Sequence, residues 1–301
     1  MLNIRMREDE LINGMKARDR KTLAKVLSLC ENFPDKANVL LAKLEKNNAH
    51  VVGLTGSPGV GKSTLMNSIL NEMKDRKVGV IVVDPSSPFT HGALLGDRIR
   101  MQSHATSKNV FIRSFASRGA LGGLSPSIYE ACDAFEAFGM DNVIVETVGV
   151  GQSEVDVKNV ADTVAVVLSS DGGDEIQMMK AGLMEIADIF IINKSDNPRS
   201  QILLSRLKAV MAMGKKDVPI FLTNAITGEG VREVVKAFDE RFHELKDTNL
   251  LYEKRKERLV HHVKASLRRE LDDLVDKVEI EIPDFLKLKS LVLNELCKKR
   301  E

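Results

Sequence analysis

Gly56-Ser57-Pro58-Gly59-Val60-Gly61-Lys62-Ser63-Thr64 carries the spacing GxxxxGK[ST], which is the phosphate-binding P-loop pattern. The flanks of this stretch decide the fold. Upstream, His50-Val51-Val52-Gly53-Leu54 is a short apolar run suited to a buried strand. Downstream, Leu65, Met66, Ile69, Leu70 and Met73 recur at helical spacing. The glycines let the backbone curl so that N–H groups point inward, and the new helix adds its own N-terminal N–H groups to the anion site. In that cradle Lys62 is expected to reach the β- and γ-phosphates, Ser63 to ligate Mg²⁺ through its hydroxyl, and Thr64 to add a phosphate contact. Without the flanks, the same letters would be a Gly-rich turn opening an ordinary helix.

Outward from this loop, residues 49–246 alternate strands with helices. Apolar runs at Val78–Asp84, Val143–Glu146, Thr163–Leu168, Ile189–Ile192 and Val218–Leu222 read as buried strands. Helical patterns lie near 126–139, 175–187, 200–213 and 229–245. That alternation predicts an α/β fold, a P-loop NTPase with a mostly parallel sheet flanked by helices. Ligands of such sheets lie beyond the carboxyl ends of the strands, and the remaining motifs sit there. Asn193-Lys194-Ser195-Asp196 follows the Ile189–Ile192 strand as NKxD. A carboxylate, which only accepts, can take both N1–H and the 2-amino group of guanine at Asp196. Adenine lacks that donor pair, so GTP is selected over ATP. The Lys194 stem can lie along the base, and Asn193 can bond the base or brace the P-loop. Asn224-Ala225, closing the next strand, can offer a backbone N–H to guanine O6.

Glu146 ends the Val143 strand and fits the acid that holds Mg²⁺ directly or through water. Gly149, just beyond, would let a backbone N–H approach the γ-phosphate. Asp84 and Asp97 flank DPSSPFTHGALLGDRIR. They are candidates for outer metal ligands or for orienting the attacking water, with a solvated loop as the alternative. Asp171-Gly172-Gly173-Asp174-Glu175-Ile176-Gln177 leads towards Lys180. Either a helix simply starts here, with Asp174 as its cap, or this is a switch loop whose Gln177 or Lys180 reaches nucleotide or partner. His261 and His262 are expected to face solvent, and His91 sits in the acidic loop.

With 301 residues, 43% hydrophobic content and a formal net charge of +1, the chain can bury a large core. It has no bulk charge that points to nucleic acid. Cys30, Cys132 and Cys297 are far apart, which predicts reduced thiols without a disulfide framework or structural zinc. No run approaches the ~20 apolar residues of a membrane span, and the charged N-terminus lacks a signal-peptide core. The expectation is a cytoplasmic protein that binds no membrane. Residues 1–48 read as an N-terminal helical extension, with Pro34 stopping its first run. Residues 247–301 read as a charged helix with an apolar stripe at Leu259, Val263, Leu267, Leu271, Leu274 and Val278, a break at Pro283, then a second helix. The stripe needs cover, from the same chain or from a second copy. Periodicity does not choose between them.

GSPGVGKST, VDPSSPFTHGALLGDRIRM, SRGALGG, VETVGVGQSE, GGDEIQMMKAGLMEIAD and NKSD together resemble the MeaB/ArgK family, the relatives of the methylmalonic aciduria type A protein. The resemblance implies a homodimeric GTPase of the signal-recognition/MinD class of P-loop folds. Its implied work is to escort an adenosylcobalamin-dependent acyl-CoA mutase, gating cofactor loading from a cobalamin adenosyltransferase and protecting or reactivating the mutase. Mg²⁺ and GTP/GDP are the implied ligands. Asp84, Asp97 and Glu146 match family acids around the metal and switches. Asp174, Gln177 and Lys180 match a third switch, and Lys62, Asp97, Glu146 and Lys180 form the implied catalytic set. Residues 247–301 match a dimerisation arm, and residues 49–246 the G domain. His91 stands where relatives usually carry a small residue. Two other readings compete: an ATPase or kinase serving amino-acid transport, against which NKSD argues, and a nickel-insertion GTPase, which would need Cys- or His-based metal sites.

Overall fold

The computed structural model describes residues 8–84, 107–116, 124–125, 127–147, 153–171, 182–214, 217–277 and 285–298. Three helices lead: α1 (Glu8–Lys16), α2 (Arg20–Asn32) and α3 (Pro34–Leu41). Then come β1 (His50–Thr55), α4 (Lys62–Glu72), β2 (Val78–Asp84), β3 (Val110–Ala116), α5 (Ser127–Phe138), β4 (Asn142–Glu146), α6 (Ser153–Asp156) and β5 (Thr163–Ser169). The chain continues through α7 (Leu183–Ile186), β6 (Ile189–Asn193), α8 (Arg199–Met213), β7 (Ile220–Thr223), α9 (Val231–Asp247), α10 (Leu250–Lys277) and α11 (Phe285–Lys298).

The seven strands form one sheet in the order β3-β2-β4-β1-β5-β6-β7, and every pairing is parallel. Side chains of a strand alternate between faces, and both faces here are covered. Along β5, Val164, Val166 and Leu168 enter one core, while Ala165 and Val167 enter the other. In β6, Phe190 and Ile192 oppose Ile189 and Ile191 in the same way. One core also takes Leu23 and Leu27 of α2, Phe135 of α5 and Leu203 of α8. The second takes Leu65 and Ile69 of α4 with Val234 and Phe238 of α9. The N-terminal helices therefore share the main core. Asp19 starts α2 by accepting from Thr22 N at 2.9 Å and Thr22 Oγ1 at 2.7 Å. Pro34 takes a first-turn position of α3, where its missing N–H costs nothing.

One strand has no counterpart in the sequence expectations. β3 lies at the sheet edge, and its middle residues Phe111–Ser114 are only half-buried. Arg113 breaks its apolar run because it is shared with α2: Nη2 donates to Ser28 Oγ at 3.1 Å and Glu31 Oε2 at 2.9 Å. The helix pattern of 175–187 meets only α7, because residues 172–181 lie outside the described ones.

β1 lies between β4 and β5, so the chain departs to opposite sides around it, and the P-loop leaves from that switch point. At the other end of the sheet, α10 is fastened by charge. Arg255 Nη2 donates to Ala49 O at 2.7 Å and Asp162 Oδ2 at 3.2 Å, and Arg258 reaches Glu136 Oε1 at 3.3 Å and Asp133 Oδ1 at 3.2 Å. His262, expected in solvent, joins this contact instead. Its ring stacks on Tyr129 with centroids 4.9 Å apart, and Nε2 is 3.1 Å from Glu130 Oε1. Glu130 is fully buried, and its Oε1 also accepts from Asn38 Nδ2 at 3.2 Å. Beyond this base the first part of the stripe is exposed, with Leu259 at 60% and Val263 and Leu267 at 49% each, whereas Leu274 is buried at 6%. Val278 lies outside the described residues. Among the described residues no helix is long and apolar enough to cross a membrane.

Candidate nucleotide site

The P-loop forms as its glycines require. Gly61, with φ 92°, is the residue before α4, and a Cβ there would sit 2.5 Å from Asn193 Nδ2. Gly56, with φ 145°, passes against the Val167 carbonyl so closely that a Cβ would collide with it. Both positions are restricted to glycine by conformation and by space. Lys62 is 6% exposed. Its ammonium curls back over the loop and donates to Gly56 O at 2.5 Å and Ser57 O at 2.9 Å. An anion in the cradle would be a stronger partner for the ammonium than either neutral carbonyl. Thr64 and the prolyl and valyl turn residues Pro58 and Val60 complete the loop, with Val60 buried at 1%.

Ser63 Oγ donates to Glu146 Oε1 at 2.8 Å. Glu146 is 5% exposed at the end of β4 and is registered beside Leu54 of β1. The neighbouring strand ends are tied by Thr147 Oγ1 donating to Thr55 Oγ1 at 3.0 Å. A hydroxyl and a carboxylate at the mouth of a phosphate loop are the hard oxygen donors that Mg²⁺ prefers. The ion usually completes its shell with water and phosphate. Among the described residues no three His, Cys, Asp or Glu side chains converge into a metal cage. The donor set therefore fits an ion that arrives with a nucleotide. The backbone of Asp84 ends β2 on the same side of the sheet.

The second half of the site is built around Asn193, the last residue of β6, 1% exposed. Its Nδ2 donates to Val60 O at 2.9 Å, and its Oδ1 accepts from Ala225 N at 3.1 Å and Thr223 Oγ1 at 3.3 Å. Of the two uses open to it in the sequence, Asn193 takes the brace. The Ala225 N–H and the Thr223 hydroxyl together satisfy this buried amide oxygen. Asn224 Nδ2 donates to Asp196 Oδ1 at 3.1 Å, while its Oδ1 accepts from Ile226 N at 3.0 Å. Asp196 is thus oriented by the next loop. Lys194 has the left-handed φ of 60°. Its ammonium donates to Asp171 Oδ2 at 2.9 Å.

The structure brings P-loop, Glu146 and base loop to one end of the sheet. Asp97, Gly149, Asp174, Gln177, Lys180 and His91 lie outside the described residues. Three contributors escaped the sequence reading. Ser68 of α4 hydrogen-bonds the Ala225 carbonyl, Asn197 binds Asp171 at 2.7 Å, and Ser200 Oγ donates to Lys194 O at 3.0 Å. Only Ser200 left a trace, as a hydroxyl shortly after NKSD.

Residues 23–279 match the family profile described as methylmalonyl Co-A mutase-associated GTPase MeaB. The chain belongs to this family. A Pyrococcus horikoshii protein provisionally named a GTPase is 45% identical over 95% of this chain and 93% of its own length. The GTPase ArgK of Escherichia coli is 42% identical over 62% of this chain and 59% of its own. A crystal structure of a protein named LAO/AO transport system kinase covers 97% of both chains with a TM-score of 0.68 at 25% identity. The chain is a P-loop GTPase of the MeaB/ArgK family, and its nucleotide is GTP.

Proposed function

We propose that this MeaB-family GTPase is a chaperone of an adenosylcobalamin-dependent acyl-CoA mutase of the methylmalonyl-CoA type. It uses GTP hydrolysis to gate cofactor loading, with a cobalamin adenosyltransferase as donor, and to protect or reactivate the mutase. The observation that carries the reading is the family match over residues 23–279, whose description names association with that mutase. The geometry supports the nucleotide half of the reading. Asp196 is held by Asn224 as an acceptor for guanine, with Lys194 beside it. Asn193 locks this loop to the P-loop, so base and phosphate ends are set by one buried side chain.

In hydrolysis the Lys62 ammonium exchanges its two carbonyl partners for β- and γ-phosphate oxygens. P-loop N–H groups from Gly56 to Thr64 bind the remaining oxygens, and water attacks the γ-phosphate in line. Ser63 and Glu146 would hold Mg²⁺, with Asp84 and Asp97 in outer positions. When bound, the ion supplies positive charge to the phosphates. Gly149 serves the γ-phosphate, and Asp174, Gln177 and Lys180 form the switch that responds to the mutase. The stripe Leu259, Val263, Leu267 and Leu271 on the 247–301 arm is the contact of a homodimer, because no part of the described chain covers it. Leu259→Asp with Leu267→Asp is expected to yield monomers in sedimentation.

The deciding experiment is GTP turnover by the protein alone and with each adenosylcobalamin-dependent mutase of the same organism. Stimulation by one mutase names the client. Clear GTP binding without stimulation by any removes the chaperone reading and keeps the GTPase. The likeness to a protein named as a transport-system kinase favours a second reading. It requires ATP to displace labelled GTP with comparable affinity.

A further inference from the structure

β5 and β6 run side by side with Ser169 registered against Asn193. Two residues beyond β5, Asp171 uses both carboxylate oxygens on the NKSD loop. Oδ2 accepts from Lys194 Nζ at 2.9 Å and Oδ1 from Asn197 Nδ2 at 2.7 Å. These bonds, that from Lys194 first, hold the Asp171 carboxyl below the usual carboxylate range. The backbone of the loop is fixed by other means. Lys194 O accepts from Ser200 Oγ and from Asn197 N, each at 3.0 Å, and Ser195 N donates to Thr223 O at 3.0 Å. Among the bonds of the described residues, that to Asp171 is what fixes the direction of the Lys194 side chain. That side chain is 38% exposed, and a free lysine at such a site samples many rotamers.

Resting on the guanine-site reading above, we propose that Asp171 is a positioning residue for the base. Its carboxylate aligns the Lys194 stem where the purine face will lie, so that the side chain is ordered before nucleotide arrives. Nothing in the NKxD pattern contains this residue, which lies 23 positions upstream of Lys194. The contribution is that of a partly exposed ion pair acting through pre-organisation.

The test is a double-mutant cycle on GDP affinity, with the full chain carrying Asp171→Ala, Lys194→Ala or both, and thermal melting of each. The expected result is that Lys194→Ala weakens GDP. Asp171→Ala should weaken it about fivefold in the wild-type background and less than about 1.5-fold when Lys194 is absent. Melting temperatures should stay unchanged, and Asp171→Asn, which keeps an acceptor, should recover part of the loss. A loop-bracing role alone would move both backgrounds equally. Equal effects in both backgrounds, no effect in either, or tighter GDP binding by Asp171→Ala overturns the proposal and leaves the guanine site standing. Unchanged GDP affinity in Lys194→Ala overturns the guanine-site reading and the proposal with it.

Discussion

The two ends of the parallel sheet use charge in opposite ways. At the amino end, Arg258 is 9% exposed and faces Glu136 and Asp133, while Arg255 bridges Glu136 and Asp162. Formal charges meet formal charges there, and burial raises the Glu136 carboxyl above its usual range even with two guanidiniums beside it. At the carboxyl end, Lys62 is as deeply buried and donates to two carbonyl oxygens, and Glu146 accepts from a hydroxyl. Hydrogen bonds to dipoles orient a buried charge. The first arrangement fixes α10 to the core. The second sets a cation and an anion at the mouth of the phosphate loop.

The largest effect should come from removing the oriented cation. Lys62→Ala is expected to lower GTP hydrolysis at least about 10³-fold, on the order of 4 kcal/mol of transition-state stabilisation, with the fold intact by circular dichroism. A variant that keeps a tenth of the activity would mean that Lys62 is structural and would erase the contrast. The next largest should come from breaking the neutralised cluster. Arg258→Ala leaves Glu136, 3% exposed, with one partner fewer, and is expected to cost about 3 kcal/mol in urea unfolding. Its GTP affinity, measured where it is folded, should be unchanged, because the cluster lies at the opposite end of the sheet.

How much of this could be read in the sequence follows from how each region is built. The P-loop, Glu146 and NKSD were legible because each lies within a few residues and is placed by a strand end. The five buried strands β1, β2, β4, β5 and β6 showed as apolar runs because both of their faces are covered, and half-buried β7 showed through its own apolar run. β3 was not legible, since Arg113 interrupts it in order to meet Ser28 and Glu31 about 80 residues away. His262 was misjudged for the same reason. On a charged helix it looks solvated, and its partners Tyr129 and Glu130 sit on α5. Asn193 had two readings, and the brace shows only through the position of the Val60 carbonyl. Local chemistry showed in the sequence, and pairings across the chain did not.

A pH experiment sharpens the comparison at the amino end. His50, the buried first residue of β1, stacks on Phe242 at 4.4 Å and shares a 2.8 Å hydrogen bond with Thr163 Oγ1. Burial lowers its pKa to about 4. The unfolded chain binds the proton near pH 6.5 while the folded chain refuses it, so stability is full above 6.5 and is lost as pH falls towards 4. Between pH 7.5 and 5 the loss is roughly 2 kcal/mol. His50→Gln should remove that slope relative to the wild type. Glu136, with a raised pKa, acts in the opposite sense but is common to both proteins and cancels in the difference. Identical slopes would mean that His50 is accessible to protons in the folded chain.

The smallest effect separates burial from charge as the cause of the contrast. Arg76, at the same end of the sheet, forms a bidentate pair with Asp239 at 2.6 and 2.7 Å. This geometry is better than any pair Arg258 makes, and the hydrogen bonds to Asp239 raise the Arg76 pKa. Yet the two side chains are 36% and 35% exposed, so water screens the pair and solvates either partner left alone. Arg76→Ala is therefore expected to cost less than about 1 kcal/mol in urea unfolding, against about 3 for Arg258→Ala. Equal costs would show that pair geometry governs how α10 is fastened. The predicted inequality would locate the cause in desolvation, which is also what makes the carbonyl-held Lys62 receptive to phosphate.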